Sequence, residues 1–543
     1  MQPPRARLAE ELAIPGAARR RAPALAQESQ AAARGAVRAR WAEAALLAAL
    51  FALALLARLS HLLAAPEFTD EVGEMDRALL AYSGGQVLLV GTEPYIGPLW
   101  SYLLALGWHL VGRDPALPRV LVALFGAATV PLVYLLGRVL HSRAAGLATA
   151  LLLAASGFHV LVNSHVGWSG CTTAFFSTAG TLALALAIRH RSGPALALAG
   201  LCFGLAVQTH IIATLLLPGP AVTLLWKARR LAFSRWGTAA AALFLLATST
   251  YLIYNVETGL KTWRGALRNR AGTNEAGDLS PATYLRNLQN EMLPFGLVVE
   301  GAVPGDAPSP AEQVGAMFFT LLAIAALLQQ ARRGEPLPLV VAGSGLLLMP
   351  LVNNRYSMPA NTRYLTPMVI VVFVAIAALL ADLAARRLAR RPPLALAGTV
   401  AAAALLALPS VLALARTYAE VDVRGSQAEV MRAAAALLRA QPSGEPLVVD
   451  LRLSAEVAGG GDPYEAMTAL LDVFGLPYKR VKADPVWLDK ATAPDTRYRG
   501  FGLLSCPNYL QALRRPGVVG VPLAGRPASA CVGVGLAHFG VAA

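Results

Sequence analysis

Eleven long apolar stretches leave few folds open to this chain. A helix that crosses a bilayer needs about 20 mostly apolar residues. Such stretches lie near 43–64, 118–137, 144–163, 171–188, 195–209, 211–226, 237–255, 314–330, 336–352, 364–385 and 393–415, the fifth and sixth forming a tight hairpin. They predict an all-α polytopic membrane protein. Composition agrees: of 543 residues, 56% are hydrophobic and 15% charged, against about 45–50% and about 25% in soluble domains. A soluble enzyme or a disordered tail protein is excluded.

The formal net charge of +15 raises the question of nucleic acid, but the basic residues are dispersed and not interleaved with exposed aromatics. They cluster at 5–40, 138–143, 189–191, 227–235, 332–333 and 386–391, which fall on one side of the membrane if the spans alternate. The intervening loops near 164–170 and 208–210 carry no Arg or Lys. The positive-inside rule then puts the N-terminus in the cytoplasm and the C-terminus outside. The charge is a topology signal, and no nucleic-acid partner is expected. Of the 47 basic residues 42 are Arg, which suggests a GC-rich bacterial genome and a plasma (inner) membrane location.

Three regions follow. Residues 1–42 read as a basic, flexible cytoplasmic tail without the apolar core and cleavage site of a signal peptide. Residues 43–415 form the membrane domain, with large outer loops at 66–117 and 256–313; the second holds a helix-like stretch at 281–292. Residues 416–543 read as a small extracytoplasmic α/β domain. There LVVDL (447–451) and VVGVPL (518–523) have strand character, while YEAMTALLDVF (464–474) and NYLQALRR (508–515) have helical spacing. Cys506 and Cys531 lie in this outer domain, where a disulfide is chemically permitted; two unrelated buried thiols are the alternative. Cys171 and Cys202 sit in spans as packing residues.

The polar residues gather at one level. Loop 66–117 opens PEFTDEVGEMDRALLAYSGG, with Asp70 and Glu71 a few residues beyond the membrane. Adjacent acids in a loop are usually only solvated. Three features point further. Arg58 lies inside the first span, where it either snorkels to the outer headgroups or marks a paired or functional site. Arg119 opens the second span at the same outer level. The loop NNRYSMPANTRY puts Arg355 and Arg363 at the outer end of two more spans, Arg355 suiting interfacial anchoring and Arg363 function. Guanidinium groups at the outer face have no topological role and suit an anionic ligand, because they grip phosphate in a bidentate fork.

NSHVGWSG (163–170) adds His165 and Trp168, either pocket residues or interfacial ones. Gln208 and His210 at the hairpin tip are further pocket candidates. Tyr95, Trp100 and Tyr102 could stack on a sugar or anchor a surface helix, and Glu257, Lys261 and Arg264 read as a solvated helix face. A carboxylate near several arginines suits a lipid-phosphate leaving group. The isoprenoid tail stays in the bilayer, arginines neutralise the developing phosphate charge, and the carboxylate takes a proton from an incoming hydroxyl.

Several motifs resemble one known group. ARLSHLLAAPEFTDE (57–71) resembles the first-span arginine and Asp-Glu loop of the protein O-mannosyltransferase and aminoarabinose transferase group. GPLWSYLLALGWHLVG (97–112) and PRVLVALFGAATVPLVYLLGRVL (118–140) look like that group's next signature. NSHVGWSG is similar to a serine–arginine–x–x–tryptophan variant in bacterial members, and NTRYLTPM (361–368) resembles their late Arg-Tyr-Leu-x-Pro element. The resemblance covers roughly residues 45–380 and implies the GT-C fold, a multi-span enzyme transferring sugar from a polyprenyl-phosphate donor outside the membrane.

Carried over by position, the resemblance makes Asp70 the catalytic base, with Glu71 orienting the acceptor or the base. It makes Arg58 and Arg119 supports of the loop and donor site, and Arg363 the contact to the lipid phosphate. His165 stands where the group has arginine. The acid that relatives carry after the third span, sometimes tied to a metal, is absent from NSHVGWSG, which weighs against a divalent metal. The usual His-Pro-Pro of the first loop is replaced by Ile96-Gly97-Pro98, so the acceptor, whether glycan, lipid or protein, does not carry over. The rivals to an inverting glycosyltransferase are a lipid or polysaccharide transporter or flippase, and an inactive membrane scaffold. Transporters often show internal repeats and broken mid-membrane helices; no convincing repeat is present, and the polar residues collect at the boundary.

Overall fold

The computed structural model describes residues 17–65, 69–262, 264, 280–302, 308–352 and 359–424, with short pieces of the C-terminal region at 447–449, 472–473, 478–479, 498–504, 518–522 and 533–539. The side chains of 17–36, 69–70, 72, 359–361, 423–424 and the strands lie outside this description.

Sixteen helices are described, in the order α1 (Ala17–Leu59), α2 (Thr69–Tyr82), α3 (Leu99–Val111), α4 (Leu117–Leu140), α5 (Arg143–Ala154), α6 (Gly157–Leu161), α7 (Thr173–His190), α8 (Gly193–Thr209), α9 (Pro218–Ala232), α10 (Arg235–Ala247), α11 (Ser249–Glu257), α12 (Pro281–Glu300), α13 (Pro310–Arg332), α14 (Leu337–Leu348), α15 (Thr366–Arg387) and α16 (Pro392–Arg424). Two compact units are present, Met1–Leu53 and Ala54–Ala543. The first consists, as far as it is described, of most of α1. The segment read as a tail is helical from Ala17, in keeping with the strong helix propensity of its Ala and Arg residues.

All eleven predicted spans are helical. Seven helices are long and apolar enough to cross a membrane. The pair α10–α11, bent by 56°, makes an eighth if it is one broken span. The remaining predicted spans, near 144–163, 195–209 and 336–352, contain shorter apolar helices, as does Leu99–Val111 in the outer loop. Serine fixes many starts: Ser142, Ser156, Ser192, Ser234 and Ser280 each accept a hydrogen bond from a backbone N–H in the first turn that follows. Ser309 and Glu312 form a full capping box at α13.

Helix α15 is buried on every side from Thr366 to Ala378, as expected of a helix apolar all round. It packs against α5, α13, α14 and α16 and forms the core of the bundle. One end of the bundle gathers the end of α1 and the starts of α4, α7 and α15. At the other end Asp382 of α15 ties three elements together, bonding His141 at 2.9 Å, Gln329 at 2.9 Å, and Arg333.

The described strands of the C-terminal region form a five-stranded mixed sheet, β2-β1-β3-β5-β4, with β1 Leu447–Val449, β2 Tyr478–Lys479, β3 Tyr498–Leu504, β4 Val518–Pro522 and β5 Gly533–Phe539. β1 runs parallel to β2 and β3, and β5 is antiparallel to β3 and β4. Both predicted strands are thus present. Of the helical stretch 464–474 only Asp472 and Val473 are described, and 508–515, Cys506 and Cys531 lie outside the described residues. Helix α16 continues to Arg424, past the domain boundary read at 415.

Candidate active site

The outer loop is anchored by a buried ion pair. Arg119, at the start of α4, donates from Nε to Glu71 Oε1 at 2.8 Å and from Nη2 to Oε2 at 3.0 Å. Its Nη1 donates to the Ala65 carbonyl at 2.8 Å, and the backbone N–H of Gly167 reaches Glu71 Oε1 at 3.1 Å. The two side chains are 0% and 1% exposed. Such a pair is tolerated without water only because its hydrogen bonds are nearly all made within the protein. It joins the end of α1, the first turn of α2, the start of α4 and loop 163–170. Gly167 suits this junction, because a Cβ there would stand 2.6 Å from Pro118 Cβ and 2.7 Å from Glu71 Oε1. Farther along α2, Glu74 accepts from Ser169 N at 2.7 Å and Ser169 Oγ at 2.6 Å. Two acids of one helix therefore grip the same loop.

Arg58 does not snorkel. It is fully buried, donating to Ser164 Oγ at 3.1 Å and the Ala54 carbonyl at 3.1 Å, with His159 Nδ1 at 2.9 Å. Close approach is allowed by Gly126, whose absent Cβ would lie 2.3 Å from Ser164 Oγ. His165 Nε2 lies 3.2 Å from the Ser60 carbonyl and 3.0 Å from the Tyr418 hydroxyl. Burial, reinforced by Arg119, pushes the His165 imidazole down to about 3, so it is neutral. Tyr418 also stacks on His61, ring centroids 4.2 Å apart, and His61 Nε2 meets Asp422 Oδ1 at 3.1 Å.

Arg363 lies at the head of the central helix α15, in a short 3-10 turn, and is 7% exposed. Its guanidinium carbon sits 4.0 Å from the centroid of the Trp168 ring and 4.4 Å from that of Tyr364. Nη2 donates to the Tyr364 hydroxyl at 2.8 Å. The Tyr364 ring packs on His210 at 4.8 Å between centroids, and His210 on Tyr95 at 5.4 Å. Burial and then Arg363 press the His210 imidazole down to about 3, so the arginine has no competing cation beside it. Four of the residues read as site candidates, Arg363, Trp168, His210 and Tyr95, thus form one continuous cluster.

Gln208 braces rather than lines this cluster: its Nε2 donates to the Ala247 carbonyl at 2.6 Å and Thr250 Oγ1 at 2.8 Å, while its backbone carbonyl accepts from Gly97 N at 2.9 Å. Together with Tyr251, which donates to the Tyr95 carbonyl at 2.8 Å, it holds the segment carrying Tyr95 in place. Trp100 is buried core, and the Tyr102 hydroxyl clasps the Leu88 backbone N–H at 2.8 Å. Glu257, Lys261 and Arg264 are exposed, in line with a solvated face.

The backbone of Asp70 lies in the first turn of α2, beside Glu71; its side chain and Arg355 lie outside the described residues. Among the described residues no group of three His, Cys, Asp or Glu side chains could hold a metal. Sequence reasoning missed His159 and Tyr418, which are remote in sequence from the groups they meet, and Glu74, Ser164 and Tyr364, which lie inside the quoted motifs but are ordinary polar or aromatic residues there. It also missed Glu291 of α12. That carboxyl is fully buried, neither oxygen has a hydrogen-bond partner among the described residues, and burial pushes it up to about 9.

Residues 93–254 match the family described as dolichyl-phosphate-mannose-protein mannosyltransferase. Among solved structures the fold resembles ArnT from Cupriavidus metallidurans bound to undecaprenyl phosphate, with a TM-score of 0.56, 13% identity, and coverage of 92% of this chain and 99% of that one. For the apo state of the same protein the TM-score is 0.53 at 14% identity, covering 91% and 98%. The oligosaccharyltransferase of Archaeoglobus fulgidus in the apo form gives 0.48 at 14% identity, over 85% and 70%. No curated protein matches the sequence. The ArnT likeness is one of fold, that of a multi-pass membrane protein of the GT-C type, and the family model matches under a third of the chain.

Proposed function

We propose that this chain transfers a sugar from a polyprenyl-phosphate donor to an extracytoplasmic glycan, lipid or protein acceptor. The observation that carries the reading is the buried guanidinium of Arg363, set 4.0 Å from the ring centroid of Trp168 and 4.4 Å from that of Tyr364 at the head of α15. A desolvated, pre-oriented arginine stabilises a phosphate whose charge grows as the glycosidic bond breaks, and it does so without reorganising in the transition state. The undecaprenyl phosphate bound to ArnT supports the same class of donor here.

In this reading Asp70 is the general base. It takes the proton from an acceptor hydroxyl as the oxygen attacks the anomeric carbon, and the lipid phosphate leaves from the opposite face, so the single displacement inverts the centre. Glu71 is a positioning residue, because Arg119 and Gly167 already occupy its oxygens and thereby fix the turn that carries Asp70. Arg58 fixes loop 163–170 from below. The positive-inside rule supports a site outside the plasma membrane, with the N-terminus in the cytoplasm and the C-terminus outside.

The test incubates purified protein with a panel of radiolabelled polyprenyl-phosphate sugars and measures release of free lipid phosphate. Release from one donor class, lost in Arg363→Ala, is expected. No release from any donor would favour the transporter or scaffold reading.

A further inference from the structure

A cavity lies at the end of the bundle opposite the candidate active site. It has a volume of about 310 Å³ and opens between the C-terminal ends of α4, α7 and α9 and the start of α14. Leu140, Ile188 and Leu337 supply apolar wall, while Arg189, Lys227 and Glu335 supply charge. Arg189 Nη1 donates to the Val139 carbonyl, and Lys227 Nζ donates to the Gly334 carbonyl. A guanidinium carries five donors and an ammonium three, so one bond each among the described residues leaves most of their capacity unused. His141, in the same wall, differs: its ring nitrogens meet Ser142 Oγ and Asp382 Oδ1, both at 2.9 Å, so it belongs to the Asp382 clasp.

Capping of helix C-termini accounts for one hydrogen bond per cation, but it does not call for a cavity between them. The level of the opening supplies the missing constraint. Trp226, next to Lys227, is 68% exposed and Phe233 81% exposed. Exposed aromatics beside lysine and arginine mark the membrane–water interface, and the basic clusters place this end in the cytoplasm. The cavity therefore opens among headgroups rather than into bulk water.

We infer that Arg189 and Lys227 bind the phosphodiester of an anionic glycerophospholipid, with the apolar wall taking the first methylenes of an acyl chain. Glu335 stands where it can accept from headgroup hydroxyls such as those of phosphatidylglycerol, and it disfavours a more densely anionic group. Basic pockets between membrane helices on the cytoplasmic side recognise lipid headgroups in this way. The inference is independent of the sugar-transfer reading and needs only that the chain spans a bilayer.

The test uses the full chain in nanodiscs of mixed phosphatidylglycerol and phosphatidylcholine, with lipid retention read by native mass spectrometry. One phosphatidylglycerol is retained preferentially by the wild type. Each cation at headgroup level is worth roughly fivefold in affinity, so Arg189→Gln combined with Lys227→Gln weakens retention about thirtyfold. Both glutamines can still donate to the carbonyls that cap the helices, and an unchanged thermal midpoint in pure phosphatidylcholine verifies the fold. Arg229→Gln with Arg230→Gln, outside the cavity, lowers retention less than the cavity pair does. Equal loss in that control, equal retention of phosphatidylcholine or phosphatidylethanolamine, or displacement by inorganic phosphate alone would overturn the inference.

Discussion

The buried Glu71–Arg119 pair gives the sharpest quantitative expectation. Glu71→Gln keeps the shape and an amide oxygen for Gly167 N–H and Arg119 Nε, but it removes the counter-charge from Arg119, whose contacts to the Ala65 carbonyl at 2.8 Å and the Leu62 carbonyl at 3.4 Å remain. Removing one member of a buried pair costs about 3–5 kcal/mol, mostly because the remaining charge stays dehydrated. The two surviving carbonyl contacts put Glu71→Gln toward the low end of that range. Arg119→Met strands the carboxylate instead and falls toward the high end. The double variant strands neither charge, so its cost is well below the sum, with a coupling of about 2 kcal/mol or more. Equilibrium unfolding in SDS mixed micelles, followed by the fluorescence of buried Trp100, Trp108 and Trp168, measures all four corners of the cycle. Additive single effects, or a Glu71→Gln cost within about 0.5 kcal/mol of zero, would refute the reasoning.

Arg363→Lys keeps the charge but gives up the guanidinium contact with Trp168 and the bond to the Tyr364 hydroxyl, so the phosphate charge that grows in the transition state is less well stabilised and kcat falls about tenfold or more with donor KM less affected; wild-type kinetics would contradict the phosphate-binding role. Gly167→Ala forces a Cβ into Pro118 and Glu71, so the SDS titration registers a loss of about 1–3 kcal/mol; a neutral effect would contradict the close approach. Glu291 has its carboxyl raised to about 9 in the fold, so the folded chain holds a proton that the unfolded chain has released above the ordinary carboxyl range. Stability accordingly falls as pH rises through that window, by up to about 1.4 kcal/mol per pH unit, and Glu291→Gln flattens the slope between about pH 5 and about pH 8. An unaltered slope would contradict the buried neutral acid.

Much of this architecture was legible because membrane helices advertise themselves by length and apolarity, and because charges stand out against that background. Arg58, Arg119, Trp168 and Arg363 were visible for this reason. Their partners were not. His159 and Ser164 complete the Arg58 site from 101 and 106 residues away, and nothing local in FHVLVNS distinguishes them from packing residues. Tyr418 and Asp422 were assigned to an outer domain, yet α16 runs on through them and returns Tyr418 to His165 across 253 positions. Glu291 sits in a sequence that reads as an ordinary amphipathic helix, and only three-dimensional burial singles it out. Gln208 looked like a pocket residue because polar groups at a hairpin tip face either a ligand or a neighbouring backbone, and sequence cannot choose between them.

Sugar transfer by the Asp70→Asn variant tests the central claim most directly. The substitution keeps size and removes the base, and loss of a general base lowers rate by about a hundredfold to ten-thousandfold. With a radiolabelled polyprenyl-phosphate sugar that the wild type uses, transfer should fall by at least that lower bound while expression, donor binding and unfolding stay at wild-type values. Transfer at the wild-type rate would contradict the assignment of Asp70 and the mechanism built on it.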